Sequence, residues 1–369
     1  MQCTCRHTNN IQITYREGSM FSKLQPVPTD PILGLVAEFR ADTNPKKVDL
    51  SVGVYKNEAG DTPVLKAVKK AEEHLHKTQD SKAYLGMAGD VQYNQLMTQL
   101  IFGDHSAVNE GRVLTAQTPG GTGSLRVAAE FLKQCNSDAT VWVTNPTWAN
   151  HLSIFKAAGL EIKEFPYFDF ETMGLKFEQT VEALKLVPAG DVVLFHACCH
   201  NPSGMDLNLE QWQVIADLAN AQGFTLLVDA AYIGFGEGLE QDAAGIRLLA
   251  EQVEQLIVCS SCSKNFGLYR DRVGALSILG ASKEQTETAY SVALSVIRAI
   301  YSMPPAHGAA VVATILANPE LKALWHEELN EKRTRINQLR SLIVDKFKEK
   351  NVPGDYDFIA DQHGMFSFL

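Results

Sequence analysis

Several features that would place this chain in other protein classes are missing. No apolar run among its 369 residues reaches the roughly 20 positions that a membrane-spanning helix needs. Internal repeats and low-complexity linkers are absent too, which excludes solenoid and array architectures. There is no surplus of positive charge: 33 Lys and Arg stand against 43 Asp and Glu, for a net charge of −10. Nucleic acid and anionic membranes are therefore poor main partners, although a local basic pocket stays compatible with the total. Residues 1–19 lack the long apolar core of a secretion signal and make a poor organelle-targeting helix. Metal-ligand spacing is missing as well, since Cys3 and Cys5 have only His7 beside them and no second cluster. The other cysteines, with Cys198 next to Cys199 and Cys259 three before Cys262, fall mostly in apolar strand-like stretches. They read as reduced core thiols of a cytoplasmic protein.

What is present is an ordinary globular composition, 45% hydrophobic and 8% aromatic. The length favours one large domain and a smaller one. Short β-rich runs alternate with longer helical ones, which predicts a mainly parallel sheet covered on both faces. Predicted strands are Val141–Thr144, Val192–His196, Leu226–Asp229, Leu256–Ser260 and Gly274–Leu279, rich in Val, Leu and Ile without polar alternation. Predicted helices include Ser124–Gln134, Leu209–Ala221 and a long Pro319–Lys350 segment. On the last, Leu321, Leu324, Trp325, Ile336, Leu339, Ile343 and Phe347 mark the expected buried side. The polar stretch before Met20 reads as a leader, with Met20 the true start. The apolar ending Phe366-Ser367-Phe368-Leu369 reads as a chain cut in mid-strand.

The chemically interesting residues follow strands, where open α/β sheets bind ligands. Gly120-Gly121-Thr122-Gly123 precedes a helical run; such glycines let backbone N–H groups approach an anion, though glycine turns before helices are also common without one. Lys264 stands among Ser261, Ser263 and Arg272. A solvated loop lysine is the bland alternative, but hydroxyls and a second cation at a strand end suit a phosphate and a lysine whose amine must lose its proton. Asp229 closes a buried strand, where a carboxylate needs a cationic partner or a helix to cap. His200-Asn201-Pro202-Ser203-Gly204 reads as a tight turn that presents Asn201. Trp148 is a flat surface for stacking, or simply core.

Together, and in this order along the chain, these residues resemble the class I, fold-type I pyridoxal-phosphate (PLP) aminotransferases, specifically the bacterial aspartate/aromatic subgroup. The resemblance runs from Met20 to Phe368. It implies a large PLP-binding domain with a mainly parallel seven-stranded sheet, and a smaller α/β domain built from both chain ends. On that pattern residues 1–19 are a leader, 20–62 open the small domain, 63–330 form the large one and 331–369 carry the truncated remainder. It implies that Lys264 holds PLP as a Schiff base and shuttles a proton, that Asp229 pairs with the pyridine nitrogen, and that His151 supports Asp229. Tyr232 and Asn201 would bond the ring oxygen, Trp148 would stack on the ring, and Gly121, Thr122, Ser261, Ser263 and Arg272 would hold the phosphate. Tyr84 would reach the neighbouring subunit's phosphate. Arg298 would cross a homodimer to a dicarboxylate side chain, Gly53 would lie in a loop closing over substrate, and Phe366 would line that site. Amino acids and 2-oxo acids would be the substrates, and no metal or membrane enters.

Three departures bear on this. Met303 stands where the family often has Asn or Ser, and Met87-Ala88-Gly89-Asp90 differs from the usual pattern after Tyr84. The family's second arginine, for the substrate α-carboxylate, lies beyond residue 369, which leads us to expect impaired turnover from this chain. The alternatives are thus an impaired PLP-binding fragment, or another PLP enzyme such as a lyase or decarboxylase.

Overall fold

The computed structural model describes residues 20, 21, 23–26, 31–49 and 53–365. The expected leader and Phe366 lie outside these residues. The chain forms two compact units, 1–53 and 54–369. In the first, a helix spans Pro31–Ala41. Lys47 ties off its end, donating from Nζ to the Phe39 carbonyl at 2.5 Å and the Asp42 carbonyl at 2.6 Å.

The second unit is organised by a seven-stranded sheet. Its strands are β1 (Val113–Pro119), β2 (Thr140–Asn145), β3 (Glu161–Pro166), β6 (Val192–His196), β7 (Thr225–Ala230), β8 (Leu256–Ser261) and β9 (Val273–Leu279); β4 (Phe168–Asp169) and β5 (Gly174–Leu175) pair separately. The order is β1-β9-β8-β7-β6-β2-β3. Pairing is parallel from β3 through β8, while β9 is antiparallel to both β8 and β1, so β9 alone runs against the others. The mainly parallel sheet expected from the sequence is therefore present. Its strands alternate between two cores: Leu226 and Val228 enter one apolar cluster, Leu227 the other. Burial on both faces explains their continuous apolar character.

Helices cover both faces. Asn208 caps Leu209–Gln222 in a reciprocal capping box with Gln211, and Gly223 ends that helix at φ 78°. Asn318 caps Pro319–Glu349, donated to by the Glu320 and Leu321 amides. The buried side of this 31-residue helix matches the expectation at Trp325, with Leu321, Leu324 and Ile336 packed against the core, and corrects it further along. Trp325, Leu329, Lys332, Arg340 and Val344 are buried, whereas Leu339 and Ile343 are 45% and 39% exposed. Arg340 is buried because its guanidinium has partners, the carbonyls of Ile359 at 3.1 Å and Gly364 at 2.7 Å. Lys332 places Nζ 4.8 Å from the centre of the Tyr55 ring. A second correction concerns the glycine-rich helix, which begins at Gly120 rather than Ser124 and runs to Cys135.

One contact joins this scaffold to the loop that carries Lys264. Trp325 is fully buried, stacks on Phe266 at 4.4 Å and donates from Nε1 to the Asn265 carbonyl at 2.8 Å. Such stacking adds roughly 0.5–1.5 kcal/mol beyond area burial. The two residues after Lys264 are thereby fixed to a rigid helix. The five described cysteines are free thiols; Cys135 is exposed and the other four are buried.

Candidate active site

The carboxyl ends of β1, β2, β6, β7 and β8 open on one edge of the sheet, and most of the singled-out residues meet there. Asp229 sits on β7, directly across from His196 on β6. It is 4% exposed. Its Oδ2 accepts a hydrogen bond from His151 Nε2 at 3.0 Å. A carboxylate only accepts, so His151 Nε2 carries a proton toward Asp229, and its Nδ1 lies 2.9 Å from the Thr147 hydroxyl. Burial pushes the Asp229 carboxyl up, but the hydrogen bond and charge of His151, with His196 and Lys264, outweigh it and hold the group below its ordinary value. The second carboxylate oxygen, Oδ1, is buried and has no hydrogen-bond partner. An unmet acceptor of this kind costs about 1–3 kcal/mol, more for a charged group. It is a place for a positively charged N–H donor.

Lys264 follows β8. Its Nζ lies 4.7 Å from the centre of the Tyr232 ring, just past β7. Burial lowers its pKa, Asp229 opposes this and Arg272 reinforces it, with a net downward shift. The amine is thus disposed to lose its proton and act as a nucleophile.

Arg272 enters β9 with φ 54°, a left-handed conformation unusual for a non-glycine residue. Its Nη1 donates to the Ser263 hydroxyl at 3.3 Å and the Tyr269 carbonyl at 3.0 Å. Its other guanidinium nitrogen crowds the helix start so closely that a Cβ on Gly120 would lie 2.5 Å from Nη2. A Cβ on Gly121 would meet the Ser261 side chain at 3.2 Å, and one on Gly274 would lie 2.5 Å from the Gly120 carbonyl carbon. These glycines let helix start, serines and arginine converge. No side chain caps this helix, so its first N–H groups and its dipole are available to an anion together with Arg272. Thr122 is in this first turn and half-buried.

Trp148 precedes the His151 helix and meets the His151 ring edge-on at 5.2 Å. Asn201 lies in the turn after β6, half-buried and joined to Pro202 by a cis peptide bond. Tyr84 and Arg298 are not brought to this edge: Tyr84 is 93% exposed, and Arg298 ends the Lys283–Ile300 helix, donating to the Ser302 hydroxyl. Gly53 closes the first unit.

Reading the sequence missed His196, which is 6% exposed with both ring nitrogens unpartnered. Its ring lies 5.2 Å from that of His151, and burial, then the nearby His151, push its pKa down to about 4. The signal was there, since His196 closes an apolar strand as Asp229 does. Thr147 was missed too, as was His200, held by Thr144 at 2.9 Å and Ser203 at 2.8 Å under the stacked Tyr167 ring.

This edge offers a buried anion with an open acceptor, an amine poised to deprotonate, and an anion cradle. The family model for aminotransferase class I and II matches residues 45–369. The chain belongs to this aminotransferase family. The aspartate aminotransferase of Escherichia coli (strain K12) is 51% identical over 350 residues, covering 95% of this chain and 88% of that protein. The aromatic-amino-acid aminotransferase of Paracoccus denitrificans is 42% identical with the same coverage. Among solved structures, the aromatic-amino-acid aminotransferase from Burkholderia pseudomallei, covalently bound to pyridoxal phosphate, superposes with a TM-score of 0.93 at 44% identity, over 95% of this chain and 88% of that one. The aspartate aminotransferase from Saccharomyces cerevisiae cytoplasm gives 0.91 at 35%, over 95% and 87%. The chain is a PLP-dependent transaminase; the lyase and silent-fragment alternatives are not favoured. The aminotransferase cofactor fits the residues present: Asp229 Oδ1 lacks the donor a pyridinium nitrogen supplies, and the Gly120–Arg272 cradle lacks side chains where a phosphate would sit. No helix among the described residues is long and apolar enough to cross a membrane.

Proposed function

We propose that this transaminase exchanges the amino group of aspartate or an aromatic amino acid with 2-oxoglutarate by a ping-pong mechanism, as a cytoplasmic homodimer. The observation that carries the reading is Asp229, buried, held at one oxygen by His151 and unpartnered at the other. When bound, PLP supplies a ring that takes up electrons from the substrate Cα. Asp229 keeps the ring nitrogen protonated, and His151 and Thr147 fix its orientation. Lys264 would hold the cofactor through its amine, and the free amine would take up and return the proton at the substrate Cα. Gly121, Thr122, Ser261, Ser263 and Arg272 would hold the phosphate, Tyr232 and Asn201 would bond the ring hydroxyl, and Trp148 would stack on the ring. Tyr84 and Arg298 serve the neighbouring subunit, where the Arg298 guanidinium suits a bidentate carboxylate. Their exposure supports that assignment. Gly53 belongs to the loop that closes over substrate, and Phe366 lines it. Residues 20–62 and 331–369 together make the smaller domain and 63–330 the larger.

The test is to follow the absorption spectrum of purified protein with PLP, adding aspartate and then phenylalanine. The expected result is conversion of the protein-bound PLP band to that of pyridoxamine phosphate by one or both. No spectral change on adding PLP refutes the assignment of Lys264. A PLP band that ignores both amino acids refutes the substrate class.

A further inference from the structure

The turn that presents Asn201 is held from behind by a pair of side chains outside the cofactor site. Asp206 accepts from the Cys199 amide at 2.7 Å through Oδ2 and from the His200 amide at 2.8 Å through Oδ1. Cys199 there has φ 50°, so this carboxylate anchors a backbone conformation that is unfavourable alone. His363 meets the same carboxylate, with Nδ1 3.5 Å from Oδ2. The His363 amide also donates to the Gly204 carbonyl at 2.7 Å, and the Gly204 amide to the His200 carbonyl at 2.6 Å. One residue thus touches both the clamp and the far end of the 200–204 turn. Its own segment is rigidly seated: Arg340 donates to the carbonyls of Ile359 and Gly364, and Gly364 lies so close to Cys199 that a Cβ would be 3.0 Å from its sulfur.

We propose that His363 is a positioning residue for the Asn201 turn: protonated, it pins the Asp206 clamp, and deprotonated, it releases part of that hold. Through Asn201 the pair makes cofactor retention depend on pH near neutrality. The charged and titratable groups facing His363 are Asp206 from the turn after β6, Glu237 and Asp242 from the segment after β7, Arg340 from the long helix and the buried Cys199 thiol. The three acids outnumber the one cation among these groups. The bond to Asp206 raises the His363 pKa above its usual 6.5, against burial and with help from the charges of Asp206, Glu237 and Asp242. A raised histidine pKa contributes fully below about 6.5 and is lost as pH rises through the folded value.

The inference rests on the PLP site described above, so its test begins without cofactor. Amide hydrogen exchange at Cys199 and His200 is compared in wild type, His363→Asn and His363→Lys at matched pH, from about 6 to about 9, a range that spans histidine titration. Wild-type protection is expected to match His363→Lys at the acid end and to fall about two- to five-fold below it at the alkaline end, the range for a partly exposed pair. His363→Asn is expected at the lower level throughout. The rate of PLP loss from the loaded protein should follow the same order, with His363→Asn faster than wild type only at the acid end. A wild-type to His363→Asn exchange ratio that ignores pH overturns the proposal, as does a His363→Lys variant that behaves like His363→Asn. Exchange that follows the pattern while PLP loss does not overturns the link to the cofactor. Failure to bind PLP at all refutes the cofactor site and leaves the exchange result standing on its own.

Discussion

Gly120→Ala separates two effects at the anion cradle. Gly120 has φ 78°, and the added Cβ would lie 2.5 Å from Arg272 Nη2 and 2.9 Å from its guanidinium carbon. A left-handed conformation costs a non-glycine residue about 1–2 kcal/mol. That strain is present with and without cofactor, so it lowers stability, by about 2–4 °C in Tm, and leaves the PLP equilibrium untouched. Displacement of Arg272 acts on the equilibrium instead. Removing one charged hydrogen bond to the phosphate costs roughly 1.5–3 kcal/mol, which is about 10- to 150-fold in Kd. Gly121→Ala is the internal control, since its Cβ meets only the Ser261 side chain at 3.2 Å with an ordinary φ, and a smaller loss is expected. Equilibrium dialysis against PLP gives Kd, and calorimetry of the cofactor-free proteins gives Tm. A Gly120→Ala protein that loses Tm but keeps its Kd would refute the claim that Arg272 and this helix start hold the phosphate.

Two further outcomes are expected. Asp229→Asn keeps an acceptor for His151 but removes the anion that a pyridinium needs. Breaking a buried pair costs about 3–5 kcal/mol, so turnover should fall by roughly two to four orders of magnitude while the variant still folds and takes up PLP; a folded variant that keeps its turnover would remove Asp229 from the catalytic machinery. His196 is depressed by burial from 6.5 to about 4, so the native state binds fewer protons than the unfolded chain in that window. Stability should therefore drop as pH is lowered from 6.5 to about 4, by about 3.4 kcal/mol at most, and denaturant titrations of His196→Gln should show a shallower acid slope; an unchanged slope would show that His196 does not govern it.

Legibility in the sequence followed the uniformity of each residue's surroundings. β6 was read with its observed bounds because every residue from Val192 to His196 is buried. β1 was not read: Thr115, Gln117 and Thr118 are buried polar residues, and their partners, such as Ser277 for Thr115, come from elsewhere in the chain. β3 was lost for the opposite reason, as an edge strand with exposed Glu161, Lys163 and Glu164. On the long helix, apolar spacing put Leu339 and Ile343 inward, but the burial of Arg340 is decided by carbonyls of residues 359–364 that no local pattern announces. Asp229 and Lys264 were legible because a charged group at the end of an apolar strand is costly without a purpose. His196 carried the same signal in weaker form, since a neutral histidine is tolerated in a core. Tyr84 and Arg298 could be named only by resemblance, because nothing in one copy of the chain gives them a joint role.

The order of the strands explains why no single motif sufficed. Asp229 is on β7, Lys264 follows β8, and the anion cradle joins the ends of β8, β9 and β1, which are neighbours in the sheet. The cofactor-free chain therefore holds two unmet demands of opposite sign, a buried acceptor and an uncapped helix start beside an arginine, with an amine between them. Each alone has an ordinary explanation, such as a buried ion, a surface anion or a loop lysine. A single ligand answers all three only if it carries a protonated ring nitrogen, an electrophilic carbon and a phosphate. Binding such a ligand also removes penalties that the empty fold bears, and a ligand that binds only the native state raises stability as its concentration exceeds Kd. The same residues that select the cofactor thus make the protein more stable with it than without it.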